Sequence, residues 1–354
     1  MIRFSTFLFF SILLFSCQKE EGCVDPVAIN FNPNASSDDG SCVYSNAAGN
    51  LSLIINYSTN DGLIDNFVEC IDVDIDNNVW VGTPYGVQKF DGTLWTTYNT
   101  SNSIGLVNNN IKVIKAMENG DVWIGTDYGA SKFNGSTWTS YTSPNTLISN
   151  QVKSIDGSPY NENSVWIGTS MGVSYYDGQW NSIGSANLHW SGVNSVVHSI
   201  SSSWLAHPLG GVTNYDGNNL FSNYDTSNGI ISQNITDLII DDLGNKWIGT
   251  GGGISVLGID NNILTNHTRM YLMPPPDTLN PVVQLANDSW NRIWTAIYVG
   301  YLAEGGVACW NGEQWIDYDI SDGLAGSNIK GLAIDLDDNV WVATTTGISK
   351  MIID

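Results

Sequence analysis

A tryptophan returns at a nearly constant interval along most of this chain. The spacings between successive copies run from 38 to 47 residues, and most copies stand in the phrase Trp-Ile/Val-Gly-Thr. A repeat of this period indicates an architecture in which one small supersecondary unit is stacked many times. The aligned residues are Trp80, Trp123, Trp166, Trp204, Trp247, Trp294 and Trp341.

Each repeat predicts four short strands. In the first repeat these are a strand ending at Asp74, the Trp80 strand, a strand beginning at Gly86 and an aromatic strand around Trp95. The last two are joined by Asp91-Gly92, a dipeptide that favours a tight hairpin turn. Four strands in about 40 to 50 residues are typical of a propeller blade. No stretch of helical apolar periodicity is long enough to favour a helical solenoid.

The ends of the repeat region predict how the ring closes. The seventh repeat stops after its third strand, at residues 350–354. Its missing outer strand is expected at 51–57, because the segment 57–63 matches 318–324, which follows an outer strand, in spacing. The sequence therefore predicts an all-β, seven-bladed β-propeller over 51–354, with about 43 residues per blade. In this prediction the N-terminal outer strand completes the C-terminal blade.

The repeats resemble those of the two-component regulator propeller family. The resemblance rests on the Trp-Ile-Gly-Thr phrase, the following Gly and the Asp-Gly turn, and it covers essentially all of 51–354. It implies the fold of a periplasmic sensor domain, a setting in which the ligands are often carbohydrates. A repeat family implies architecture more directly than function.

Charge excludes one class of partner. The chain carries 35 acidic and 12 basic residues, a net charge of −23. Nucleic-acid binding depends on lysine and arginine neutralising phosphates, so we expect no nucleic-acid partner. Docking on an anionic membrane by charge alone is disfavoured for the same reason.

The first sixteen residues predict an export signal. Arg3 precedes an apolar run over 4–15, which is too short to span a bilayer and fits the core of a signal peptide. The following Leu-Phe-Ser-Cys resembles a bacterial lipobox, and this resemblance implies that Cys17 becomes a lipidated N-terminus. An ordinary secretory signal with an incidental cysteine is the alternative.

Residues 17–22 resemble the export tag of surface lipoproteins from Bacteroidetes-type bacteria. A lysine and two acids, Lys19 to Glu21, follow the lipid-bearing position directly. The resemblance implies a lipoprotein of the bacterial outer membrane that is exposed at the cell surface and held by its lipid anchor.

A small cysteine-closed module is expected at 23–44, followed by a linker at 45–50. With Cys17 lipidated, Cys23 and Cys42 are expected to form a disulfide, which an exported chain permits. The segment also resembles a short repeat of secreted proteins from the same bacterial group. Its carboxylates offer hard oxygen ligands for Ca²⁺, with Asx-turns as the alternative role. The candidate calcium ligands are Asp25, Asp38 and Asp39.

The repeat departs from its pattern in two blades. In the sixth repeat the Gly comes twelve positions after the Trp instead of six, and the fourth repeat has His207 where most have Thr. Loops between second and third strands open on the same propeller face as loops between blades, so these departures predict a binding rim. Aromatic residues there suit sugar rings or protein side chains. The candidate rim residues are Tyr85, Tyr128, Trp190, His207, Tyr298 and Tyr301.

Three functions remain open at this point. The favoured hypothesis is a non-enzymatic surface lipoprotein whose rim binds a glycan or a protein. The second is a surface polysaccharide lyase or hydrolase, for which His207 and Glu304 are the candidate acid and base. The third is a structural spacer, because loop variation is tolerated on any surface.

Overall fold

The computed structural model describes Gly22, Asn32, Ala35 and Ser37 together with residues 50–218, 220–271, 280–300 and 302–353. The chain divides into two compact units, residues 1–48 and 49–354. In the first unit, the Gly22 amide donates a hydrogen bond to the Ser37 carbonyl at 3.2 Å. Several predicted residues lie outside the described residues: Cys17, Cys23, Asp25, Asp38, Asp39, Cys42 and Tyr301.

In its described residues, the second unit consists of short strands and two 3-10 helices, Thr59–Asp61 and Thr226–Asn228. The first strands in chain order are β1 (Leu51–Tyr57), β2 (Cys70–Val73), β3 (Val79–Thr83), β4 (Gly86–Phe90), β5 (Trp95–Tyr98), β6 (Val113–Ala116), β7 (Val122–Thr126), β8 (Gly129–Phe133), β9 (Trp138–Tyr141), β10 (Val152–Gly157), β11 (Val165–Thr169), β12 (Gly172–Tyr176), β13 (Trp180–Gly184) and β14 (Ser195–Ser199). The remaining strands are β15 (Ser202–His207), β16 (Gly211–Tyr215), β17 (Phe221–Tyr224), β18 (Ile235–Ile240), β19 (Lys246–Thr250), β20 (Gly253–Leu257), β21 (Ile263–His267), β22 (Val282–Asn287), β23 (Ile293–Val299), β24 (Glu304–Trp310), β25 (Trp315–Tyr318), β26 (Ile329–Ile334), β27 (Val340–Thr344) and β28 (Gly347–Ile353).

These strands form seven four-stranded antiparallel sheets, which confirms the predicted seven-bladed all-β propeller. Blades 1 to 6 take consecutive strands, from β2–β5 in blade 1 to β22–β25 in blade 6. Blade 7 has the order β1-β28-β27-β26. Strand β1 pairs with β28 from Leu51 opposite Ile353 to Tyr57 opposite Ile348.

The hydrophobic core lies between the blades. The innermost strands β2, β6, β10, β14, β18, β22 and β26 each contact the next, and β26 contacts β2. Buried apolar clusters fill the space between each pair of neighbouring blades, including blades 7 and 1. Between blades 1 and 2, Trp80 stacks on Tyr98 and contacts Phe133 at centroid distances of 5.7 and 5.8 Å.

The recurring Gly-Thr of the Trp phrase has a packing explanation. A Cβ at Gly82 would lie 2.5 Å from the Cys70 sulfur and 2.7 Å from Ile111, so only glycine allows the neighbouring blade to approach. The buried Thr83 hydroxyl donates to the Gly86 carbonyl at 3.0 Å and accepts from the Tyr85 amide at 3.1 Å. Gly86 itself has φ +142°, a conformation that favours glycine. The phrase therefore fixes the turn between the second and third strands.

A buried carboxylate anchors the Trp side chain in four blades. In blade 6, the Asp288 Oδ2 accepts a hydrogen bond from Trp294 Nε1 at 2.9 Å and an ion-pair hydrogen bond from Arg292 Nε at 2.5 Å. Met117 occupies the equivalent position in blade 2, so that blade lacks the anchor. The other three anchors are Asp74–Trp80, Asp241–Trp247 and Asp335–Trp341.

Candidate functional site

The turns between second and third strands lie at the same end of the blades as the starts of the innermost strands. In blade 1, the first residue of β2, Cys70, pairs with Gly82 near the end of β3. We call this end of the propeller the upper face. The loops that join one blade to the next also reach the innermost strands here.

Exposed apolar side chains follow one another around the upper face. They occupy the tips of the turns between second and third strands in four consecutive blades. Each is 57 to 64% exposed. We call them the upper-face arc: Tyr85, Tyr128, Met171 and Leu209. At the equivalent turn positions, blade 5 has Gly252 and blade 7 has Thr346.

Trp190 extends the arc at blade 4. It lies in the loop before β14, is 43% exposed, and packs closely on the blade 4 turn. A Cβ added at Gly210 would lie 2.7 Å from the Trp190 Cβ, so glycine at this position makes room for the tryptophan. Sequence reasoning proposed Tyr85, Tyr128 and Trp190 for the rim, and the structure places all three on the upper face.

Blade 6 accommodates its extra residues in a longer hairpin. Strands β23 and β24 have seven residues each, and their pairing continues to Val299 opposite Glu304. Tyr298 lies within β23 and is half-buried, so it presents less surface than the tyrosines of the arc. The insertion therefore lengthens two strands in place of forming an open loop.

His207 is fully buried in blade 4. Its Nδ1 contacts the Gly192 carbonyl at 2.8 Å, and its Nε2 contacts the Thr213 hydroxyl at 2.8 Å. Because a carbonyl only accepts hydrogen bonds, Nδ1 carries the proton. Burial lowers the pKa of His207 to about 4, so the ring is neutral at physiological pH. This geometry gives His207 a packing role, since neither nitrogen is presented at the upper face.

The two candidate acid–base residues belong to different blades. His207 ends β15 in blade 4, whereas Glu304 begins β24 in blade 6, with blade 5 between them. Glu304 is half-buried at the upper end of the lengthened hairpin. The structure does not bring these two side chains together as a pair.

A channel of about 570 Å³ runs along the propeller axis, and sequence reasoning did not anticipate it as a site. Residues of all seven innermost strands line it. The chain has only 12 basic residues, and four of them are in this lining. These four are Lys112, Lys115, Lys153 and Lys330.

Three of these lysines surround the upper end of the channel. Glu69 lies between Lys112, at 3.5 Å, and Lys330, at 4.0 Å. Lys153 is exposed and has no ion-pair partner among the residues that the structure describes. We call Glu69, Lys112, Lys153 and Lys330 the lysine mouth. Its three lysines and one glutamate give a formal charge of +2 in a chain of net charge −23.

The middle of the channel has the opposite charge balance. Lys115 pairs with Asp156 at 3.1 Å, and the fields of Asp156 first and then Asp72 and Asp237 raise the pKa of Lys115. Burial raises the pKa of Asp72 and of Asp237. Each of these two carboxylates accepts a backbone amide of the next blade at 2.8 Å, from Ala116 and Leu285 respectively. One lysine therefore faces three carboxylates.

We expect Asp237→Asn to stabilise the fold at pH 7. The folded-state pKa of Asp237 is raised, so its charged form is disfavoured above that pKa and the penalty disappears as pH falls through it. An asparagine oxygen still accepts the Leu285 amide without the charge. We expect a gain of about 1 kcal/mol, roughly 2 °C in Tm, at pH 7, with the difference disappearing in acid.

Thermal unfolding at pH 7 and pH 4 measures this effect. Asp335→Asn is the matched control. Although burial opposes ionisation of Asp335, hydrogen bonds from Trp341, Asn339 and Lys350 lower its pKa, so this variant should lose stability at pH 7. A lower Tm for Asp237→Asn at pH 7 would contradict the argument.

Among the described residues, no helix is long and apolar enough to cross a membrane. Within the same residues, no group of three or more His, Cys, Asp and Glu side chains is arranged to hold a metal ion. The candidate calcium ligands are outside this set.

Neither a protein-family model nor a curated protein sequence matches the chain. Solved structures share its fold. The extracellular domain of a hybrid two-component system protein from B. thetaiotaomicron has a TM-score of 0.69 at 20% identity, covering 84% of this chain and 41% of that chain. Virginiamycin B lyase from Staphylococcus aureus has a TM-score of 0.64 at 14% identity, covering 84% and 97% respectively.

A third match is PorZ, a surface component of the type-IX secretion system of Porphyromonas gingivalis. Its TM-score is 0.61 at 16% identity, covering 84% of this chain and 47% of PorZ. The chain spans less than half the length of PorZ and of the two-component system domain. At these identities the likeness establishes the propeller fold.

Proposed function

We propose that this chain is a non-enzymatic binding protein whose upper face takes a glycan or protein ligand. The upper-face arc is the observation that carries the proposal. Turn tips are usually polar, yet four consecutive blades expose a large apolar side chain at the same position. Apolar side chains grouped on one face suit an interaction site better than singly scattered ones do.

The composition of the arc suits recognition. Tyr85 and Tyr128 offer flat apolar rings with a polar hydroxyl, and they lose little side-chain entropy when a ligand covers them. Trp190 adds a third ring beside blade 4. The turn below each tyrosine is held by a buried threonine, so the contact surface is already ordered before binding.

The proposed location is the outer surface of the bacterial outer membrane, with a lipid on Cys17 as anchor. The lipobox-like sequence and the acidic tag behind it support this proposal. The extracellular two-component system domain and the surface component PorZ, which share the fold, are consistent with an extracellular protein. Membership of the two-component regulator propeller family belongs to the same proposal, as does the disulfide between Cys23 and Cys42.

Binding of the full chain to an array of polysaccharide fragments and to candidate surface proteins tests the proposed function. We expect saturable binding without release of product. The double variant Tyr85→Ala/Tyr128→Ala should weaken binding at least tenfold, because truncating aromatic contacts typically costs about 1 kcal/mol or more each. Its Tm should be unchanged, since both side chains are exposed.

Leu220→Ala is the matched control, because Leu220 is 64% exposed in the turn between β16 and β17, at the opposite end of the blade. It should leave both binding and Tm unaltered. Equal affinity of the double variant and the wild type would place the ligand elsewhere. Release of product from a polysaccharide would instead favour a lyase or hydrolase.

A further inference from the structure

We propose that the lysine mouth is an anion subsite, so that the ligand of the upper face is a small hydroxylated molecule carrying a carboxylate or sulfate group. This inference rests on the proposed function and specifies its ligand chemistry. The anionic group would lie on the propeller axis among Lys112, Lys153 and Lys330, which come from blades 2, 3 and 7.

The distribution of basic residues singles out this place. Outside the channel, the lysines of the propeller serve the blades themselves. Lys89, Lys132 and Lys350 cover the blade tryptophans and pair with aspartates, and Lys246 is buried. Within the described part of the chain, Lys330 alone of the mouth lysines lies over an aromatic ring, 5.2 Å from the Phe67 ring centroid. A third of all basic residues therefore lies in the channel of a strongly acidic protein.

The backbone of the inner strands directs side chains into the mouth. Strands β10, β18, β22 and β26 each have a register shift at their upper ends. Such bulges re-aim a side chain and are common beside functional sites. The residues at the shifted position all line the channel: Lys153, Thr236, Val283 and Lys330.

The channel lining also has a neutral polar residue at one of these shifted positions. The Thr236 hydroxyl is buried from solvent and has no hydrogen-bond partner among the described residues. Buried polar groups usually have a partner, so this hydroxyl is an unusual feature of the lining.

Charge and size restrict the ligand further. One lysine against three carboxylates makes the middle of the channel unfavourable for an anion, so the anionic group stops at the mouth. The carboxylates below remain acceptors for hydroxyl groups of the ligand. The channel volume of about 570 Å³ is that of a small-molecule site, which favours a molecule of about disaccharide size over a folded partner.

Replacing Glu69 tests the direction of the change in anion affinity. Its carboxylate lies between two mouth lysines and competes with any bound anion. Glu69→Gln should therefore tighten anion binding about threefold, whereas a change that merely disturbed the fold would weaken it. Lys153→Gln should weaken anion binding about tenfold.

Calorimetric titration of the full chain with digalacturonic acid and with its neutral counterpart galactobiose tests the inference. We expect the acid to bind at millimolar concentration or below, at least tenfold more tightly than the neutral sugar, and to lose affinity as salt rises. Gln179→Glu is the control for Lys153→Gln, because it lowers the net charge equally at the opposite end of blade 3. It should leave affinity unchanged.

The inference is overturned if the acid does not bind at millimolar concentration. It is overturned equally if the Lys153→Gln and Glu69→Gln variants fold and bind the acid as the wild type does. Binding of galactobiose as tight as that of the acid would also overturn it while supporting the upper-face site. If an acidic peptide binds at the lysine mouth and digalacturonic acid does not, the site recognises a protein partner. That result would refute the proposed small-molecule ligand. Loss of binding in the arc variants without any effect of the lysine variants would leave only the proposed function standing.

Discussion

Replacing Asp288 with alanine is expected to lower the free energy of unfolding by about 3–5 kcal/mol. Asp288 is 4% exposed and Arg292 is 5% exposed, so the pair is shielded from water between strands of blade 6. The carboxylate accepts hydrogen bonds from Arg292, from Trp294 Nε1 at 2.9 Å and from two backbone amides. Alanine removes the counter-charge that faces the buried guanidinium, and it also leaves the indole donor unsatisfied.

Urea unfolding followed by tryptophan fluorescence measures the effect. The double variant Asp288→Leu/Arg292→Met is the informative comparison, because an apolar pair of similar size restores packing without a buried charge. We expect it to recover most of the stability lost by Asp288→Ala. A loss below about 1 kcal/mol in the single variant would mean that solvent reaches the guanidinium, contrary to the burial described above.

Deleting residues 51–57 is expected to lower Tm by about 10 °C or more and to cause self-association. The deletion removes β1 and exposes the hydrogen-bonding edge of β28, and such an edge is a template for pairing between molecules. It also removes Tyr57, which stacks on Trp341 at 5.6 Å and contacts Phe90 of blade 1 at 5.3 Å. Blade 7 would lose both its outer strand and part of its contact with blade 1.

Differential scanning calorimetry and light scattering follow the two consequences. Leu53→Thr is the matched control, since Leu53 is on the same strand but exposed, and its replacement should leave Tm unaltered. Tyr57→Ala should give an intermediate loss of stability without self-association, because the strand pairing remains. If the deletion variant unfolds at the wild-type temperature as a monomer, β1 does not close the ring in solution.

The fold was predictable because packing dictates the repeated residues. Glycine at position 82 is required by the approach of the next blade, and threonine at position 83 ties the turn that follows. The same two demands recur in most blades, so they leave a visible period in the sequence. The number of blades followed from that period, and it agrees with the seven sheets of the structure.

The candidate site was only partly predictable. Tyr85 and Tyr128 were candidates because they are aromatic residues in loops expected on one face, where rings suit sugars or protein side chains. Met171 and Leu209 look like ordinary apolar residues in one sequence. His207 drew attention as a departure from the repeat. The structure shows that it takes a buried position and bonds to Gly192 and Thr213, a local replacement that sequence cannot distinguish from a functional one.

The channel is not predictable from the sequence, for a different reason. Residues that face the axis come from seven separate strands, and nothing in a single strand reveals that they converge. A signal was present in Glu69, Lys112 and Lys115, charged residues beside and within short strands that are otherwise largely apolar. Only the ring arrangement shows that such positions from different repeats meet.

The threonine-held turn has a consequence for how such a protein diversifies. In five blades the threonine and the glycine three residues later fix the loop. In three of them the tip side chain, Tyr85, Tyr128 or Met171, is 58 to 64% exposed. Mutations at these tips are therefore nearly free of a folding cost, and they can accumulate independently in each blade. Substitutions at the tips can therefore change the binding surface one loop at a time, while the fold of the blades is retained.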